Sequence, residues 1–180
     1  MRLRLPVLAT LPLLCSFAAL AAAQTIEPPP IKMGLWQSEV TTTMENAQNS
    51  PMGSAVARGM GSGRATVTQG CLTPDTWKKE IQGMQQHMRD TDCTMSNFQQ
   101  DSHHVSFDET CTAGSQQGYS NTVHFEMLID DTENTHGHAE MKMTGPAFPD
   151  GMTMHMAMKT KYLSSDCGDV KPGESKVIHE

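Results

Sequence analysis

The residues with chemistry to offer are sulfur and imidazole groups. Met152, Met154, Met156 and Met158 recur at every second position, with His155 between them and Met141 and Met143 shortly upstream. Thioether sulfur is a soft ligand suited to Cu(I), so a wall containing Met154 and Met156 is one place to look for copper. A plainer use is core filling. Beyond residue 23 the chain has 14 Met and only four Leu, and flexible Met packs irregular gaps well. A Met-lined void taking an apolar small molecule is compatible with either use.

His138, Glu140 and His155 make the second candidate. If the hairpin around 145–150 sets Glu140 opposite His155, His138 lies two residues along on the same face. Such a trio could hold zinc or copper(II) with coordination positions left open. A one-residue slip would scatter it, and solvated strand histidines are the ordinary alternative. The expected cofactor is therefore none. Copper or zinc on His138, Glu140, His155, Met154 and Met156 is the alternative.

Catalytic templates fail. The sequence has no G-x-S-x-G, H-E-x-x-H or G-x-x-x-x-G-K-[ST] pattern. Gly59 to Gly63 lies in a loop ahead of a strand, without the helix N-terminus that cradles phosphate. Asp108 with Glu109, and Asp130 with Asp131, are neighbours in strand-like or turn-like sequence. Adjacent strand residues face opposite ways, so neither is a ready acid/base pair. The expectation is a protein that is not an enzyme.

Four cysteines follow the first 23 residues: Cys71, Cys93, Cys111 and Cys167. Four allow three pairings. A hairpin centred on Ser102 sets Cys93 opposite Cys111, with Cβ atoms about 4.5–5.5 Å apart, which is within disulfide reach. Cys71 is then left for Cys167. No C-x-x-C spacing supports a thiolate metal site.

Disulfides need an oxidising compartment, and the N-terminus points to one. Arg2 and Arg4 precede an apolar stretch, and Ala21-Ala22-Ala23 precedes Gln24. This reads as a signal peptide over 1–23 cleaved near Ala23, for a periplasmic or secreted protein. The 20 acidic residues stand against 13 Lys and Arg, two of them in the leader, so the mature charge is −9. That excludes a nucleic-acid binder, which needs a basic face. No second apolar run approaches the roughly 18 residues of a membrane span.

These groups need elements to position them. A Pro-rich lead-in covers 24–31. Residues 32–44 alternate as a strand around Trp36, Ser38, Val40 and Thr42. Residues 45–63 have no period and read as a mobile loop. A second strand covers 64–71. Thr73 caps a helix, Pro74 takes its first position, and Trp77, Ile81, Met84 and Met88 make one stripe meant for the sheet. Strands follow at 93–98, 104–111, 119–129, 135–144 and 151–163, the last with its four Met inward. The fold expected is mainly β: an antiparallel curled sheet or partial barrel of about seven strands, a meander with one α-helix packed on it. One domain spans 32–167, and 168–180 reads as a flexible tail.

Several segments are distinctive. Met33-Gly34-Leu35-Trp36 opens the first strand, and Cys71-Leu72-Thr73-Pro74-Asp75 opens the helix. Then come Cys93, Val105-Ser106-Phe107-Asp108 before Cys111, and Met152-Thr153-Met154 before Cys167. Together they resemble the exported bacterial family called domain of unknown function 3617. The resemblance implies export and one domain, and carries over no catalytic residue. Gly34, Trp36, Leu72, Thr73 and Pro74 are read as structural: strand start, core anchor and helix entry. The expected function is a binding or interaction module of the envelope. Its partner would be another envelope protein or a small apolar ligand, with metal handling as the alternative.

Overall fold

Two-residue alternation builds one antiparallel sheet. The computed structural model describes residues 27–49, 51–59, 63–112 and 118–179. The leader at 1–23 lies outside the described residues. The strands are β1 (Gly34–Glu45), β2 (Ala65–Leu72), β3 (Cys93–Gln100), β4 (His104–Thr112), β5 (Ser120–Ile129), β6 (Asn134–Gly145), β7 (Phe148–Ser164) and β8 (Ser175–His179). Two helices, α1 (Pro51–Gly59) and α2 (Pro74–Asp90), and a 3-10 turn at Ala47–Asn49 complete them. The sheet order is β3-β4-β5-β6-β7-β1-β2-β8. Five consecutive strands form a meander, and the β1–β2 hairpin is added along β7.

The sheet is open, with β3 and β8 at its two rims. It has eight strands, not seven, and two helices, not one. The extra strand corrects the flexible tail: β8 pairs with β2 from Gly70↔Ser175 to Val67↔His179, and Val170 is buried. No apolar alternation announces β8, because its gain is backbone hydrogen bonding. The extra helix corrects the mobile loop. The turn at Ala47–Asn49 and α1 lie against β7, and Ala47 and Gly53 are buried there.

Chain tracing sets the path of the long helix. β2 and β3 lie six strand spacings apart in the sheet order, about 29 Å if flat. The α2 helix between them has 17 residues and is about 25 Å long. With Thr73 before it and Thr91 and Asp92 after it, it carries the chain from one side of the sheet to the other rim. Thr73 is its N-cap, with Thr76 N–H donating to Thr73 Oγ1 at 3.1 Å and Thr73 N–H to Thr76 Oγ1 at 2.7 Å. Only Thr76 is fully buried in α2. The stripe of Trp77, Ile81, Met84 and Met88 is half-buried, so the helix meets the sheet mainly through its first turn.

The disulfides join Cys93 to Cys111 and Cys71 to Cys167, the pairing expected. The first crosses the directly paired positions Cys93↔Cys111. The second ties the end of β2 to the segment after β7, across the start of β1. Gly34 makes room there: its φ is +140°, and a Cβ would lie 2.2 Å from the Ser164 carbonyl oxygen. Beside it Trp36 is buried, donates its indole N–H to the Lys32 carbonyl at 2.8 Å and meets Tyr162 edge-on at 5.7 Å. Met152 and Met154 are buried, whereas Met156 and Met158 are half-buried.

Acidic residues close two hairpin turns. Asp131 accepts from the Asn134 amide and the Glu133 N–H, at 2.9 and 2.6 Å. Asp101 accepts from the His103 N–H at 2.7 Å. The Asn134 amide first, then the Glu133 N–H, hold the Asp131 carboxyl below its ordinary 3.8. Asp101 is lowered chiefly by the His103 N–H. A lowered folded value favours the charged form, so both contributions are complete above pH 3.8 and fade as pH falls through the lowered values. A carboxyl-carbon titration by NMR should place Asp131 below 3.8, and Asn134→Ala should raise it. A midpoint at or above the ordinary value would contradict the turn geometry.

Candidate functional site

The two faces of the sheet offer different chemistry. On the outer face, period-two alternation in β4, β5, β6 and β7 presents polar residues in cross-strand rows. One row runs Asp108↔His124, His124↔Glu140 and Glu140↔His155, ending on Thr43 of β1. The next runs Ser106↔Glu126, Glu126↔His138 and His138↔Ala157, ending on Thr41. Acid and imidazole thus alternate along and between strands.

The pairs are close. His124 Nδ1 lies 2.6 Å from Asp108 Oδ1. Glu126 sits between two imidazoles, with His104 Nε2 at 3.1 Å from Oε1 and His138 Nε2 at 3.4 Å from Oε2. His155 lies 3.5 Å from both Glu140 and Glu45, and its Nε2 is buried without a hydrogen bond among the described residues. Lys142 contacts Glu140 at 2.7 Å and is the main cause that holds this carboxyl below its ordinary range. Asp108 is held low by the Asn97 amide first and His124 second. Beside these groups Thr41, Thr43 and Ala157 leave a hollow of about 320 Å³ that His124, His138 and His155 also line.

The expected register is present: Glu140 faces His155, with His138 on the same face. Met154 does not join them: even-numbered β7 residues point to the opposite face, and Met154 is 5% exposed. Met156 is half-buried and borders the hollow beside His138, Glu140 and His155. The expected combination of Met with His138, Glu140 and His155 is therefore corrected at Met154, which the sheet backbone separates from them. The residues sequence reading missed are Asp108, His124 and Glu126. Their outward direction was readable, but their meeting depends on the β4–β5–β6 register.

The inner face carries a different feature. An open cleft of about 390 Å³ lies between the sheet and the first turn of α2. Trp36, Trp77, Ile31 and Met127 supply apolar walls, and Thr135 and Thr160 supply hydroxyls. Those two hydroxyls are paired with each other at 2.7 Å. The Trp77 indole N–H is buried without a hydrogen-bond partner among the described residues. Glu80 and Glu174 stand in the lining as well. The Pro-rich lead-in closes one side: Pro29 is buried, and Gln100 donates to the Glu27 carbonyl at 2.7 Å. No described helix is long and apolar enough to cross a membrane.

One family model, described as "Protein of unknown function (DUF3617)", matches residues 30–167. No curated protein and no solved structure gives a significant match. The matched span runs from the lead-in that walls the cleft to the second cysteine of the long-range disulfide.

Proposed function

The chain belongs to the family of proteins of unknown function DUF3617, and on that premise we propose that it is a non-enzymatic binding module, exported to the bacterial envelope, whose inner cleft takes a neutral and largely apolar small molecule. One observation carries this reading. The chain has two tryptophans, and both line the same cleft. One of them, Trp77, keeps a buried indole N–H without a partner among the described residues, a group that costs about 1–3 kcal/mol until an acceptor meets it. A ligand with one carbonyl or hydroxyl oxygen would satisfy it. The carboxylates of Glu80 and Glu174 select against an anionic ligand. A cleft volume of about 390 Å³ falls in the range of small-molecule sites. The leader, with its alanine cleavage segment, supports export.

Tryptophan emission tests this directly, since both reporters are in the site. Titration with prodan, a neutral naphthyl ketone, should quench tryptophan emission saturably and shift the dye to the blue. Trp77→Phe keeps an aromatic, smaller side chain and removes the donor, and should weaken binding at least tenfold, the equivalent of the one hydrogen bond. Native mass spectrometry of the exported chain should show a retained neutral mass. Absence of saturable quenching, with no retained mass, would refute the cleft as a binding site.

A further inference from the structure

The outer face carries a second and independent site. We propose that His124, Glu126 and His138 bind a borderline divalent cation, zinc or copper(II). One ligand atom from each lies within 4.8 Å of the other two. Ligands at 2.0–2.2 Å from a tetrahedral metal sit about 3–4 Å apart, so small side-chain rotations close the set. Imidazole and carboxylate are the donors that zinc and copper(II) accept.

The surroundings are those a metal-binding histidine needs. A ligating imidazole is held by a hydrogen bond from its other nitrogen to a carboxylate. His124 has that partner: Asp108 Oδ1 at 2.6 Å from Nδ1, leaving Nε2 for the cation. Asp108 is itself fixed, since its Oδ2 accepts from the Asn97 amide at 2.6 Å. Asn97 sits in the left-handed region at φ +53°, inside a bulge where the β3–β4 register shifts. The bulge brings the Asn97 amide to the carboxylate. Among the described residues Glu126 makes its ion pairs with imidazoles, His104 and His138, whereas Glu140 is already neutralised by Lys142. Three protein ligands leave a tetrahedral ion one position short, and the adjoining hollow at Ala157 and Thr41 gives an added ligand room. The other close His/Cys/Glu group, around Cys93, has its sulfur committed to a disulfide.

The test is zinc titration of the oxidised, chelator-treated chain by calorimetry. One equivalent should bind. His124→Gln or His138→Gln should weaken binding at least tenfold, and His136→Gln, on the same face but paired with Asp130, should not. Asp108→Asn contributes no ligand and should still weaken binding about tenfold, as outer-shell partners do. A second readout needs no variant. Sub-stoichiometric copper(II) should broaden the His124 and His138 ring resonances first. No stoichiometric binding, parental affinity in both histidine variants, or broadening centred on other histidines would each overturn the site.

Discussion

Replacing Cys71 and Cys167 together by alanine should lower the stability of the oxidised protein by about 4–5 kcal/mol. The two are 96 positions apart, and closing a loop of about 100 residues constrains the unfolded chain by roughly 4.7 kcal/mol in the chain-entropy description. Small domains hold only about 5–15 kcal/mol in total. This one has few reserves: among the described residues, and leaving Pro29 aside, the buried apolar side chains are Trp36, Ala47, Cys71, Cys93, Val105, Ile129, Ala139, Met152, Met154 and Val170. Two of the ten are the cysteines Cys71 and Cys93. The bridge also holds β2 to the chain beyond β7, on either side of the first residues of β1. The Cys93–Cys111 pair spans 18 positions, and its loss should cost nearer 3 kcal/mol. Urea midpoints of the two double variants measure the difference. A Cys71/Cys167 variant that loses less than the Cys93/Cys111 variant would refute the argument.

Met152→Ala should cost about 2–5 kcal/mol, the range for removing a fully buried long side chain. Met152 is 1% exposed, and it is the large side chain buried most completely among those described. It pairs with Met143 across β6 and β7, on the strand that the turn at Ala47–Asn49 and α1 cover. Met152→Leu keeps most of the volume and should cost under about 1.5 kcal/mol. Met158→Ala, at a half-buried position, should lose clearly less than Met152→Ala. Thermal unfolding of the three variants gives the order. If Met158→Ala proved the most damaging, the placement of the core along β7 would be wrong.

What the sequence revealed was local. Thr73 and Pro74 announce α2 because capping involves only residues within one turn. The β6–β7 pairing of Glu140 with His155 followed from assuming a hairpin around 145–150; the connection is shorter, at Pro146 and Ala147, and a register shift between Met143 and Gly145 accommodates the difference. The Cys93–Cys111 pairing followed from the same reasoning. What escaped was non-local or carried by the backbone. Strand β8 has no apolar pattern, since all its described side chains are exposed. Helix α1 is written in Gly, Ser and Ala, which read as loop until Ala47 is seen beneath it. The meeting of His124, Glu126 and His138 needed the β5–β6 register, and the Asp108 contact needed that of β4 as well. The inner cleft needed α2 to cross the sheet and bring Trp77 over Trp36.

The two disulfides are nested: Cys93 and Cys111 fall inside the loop closed by Cys71 and Cys167. A chain delivered from its N-terminus presents Cys71 first and Cys93 second, and these two are not partners. Oxidation in order of emergence would therefore trap the wrong cross-link, leaving the last thiol to undo it by exchange. If the cysteines oxidise in that order, reaching the observed pairing takes thiol–disulfide exchange as well as oxidation.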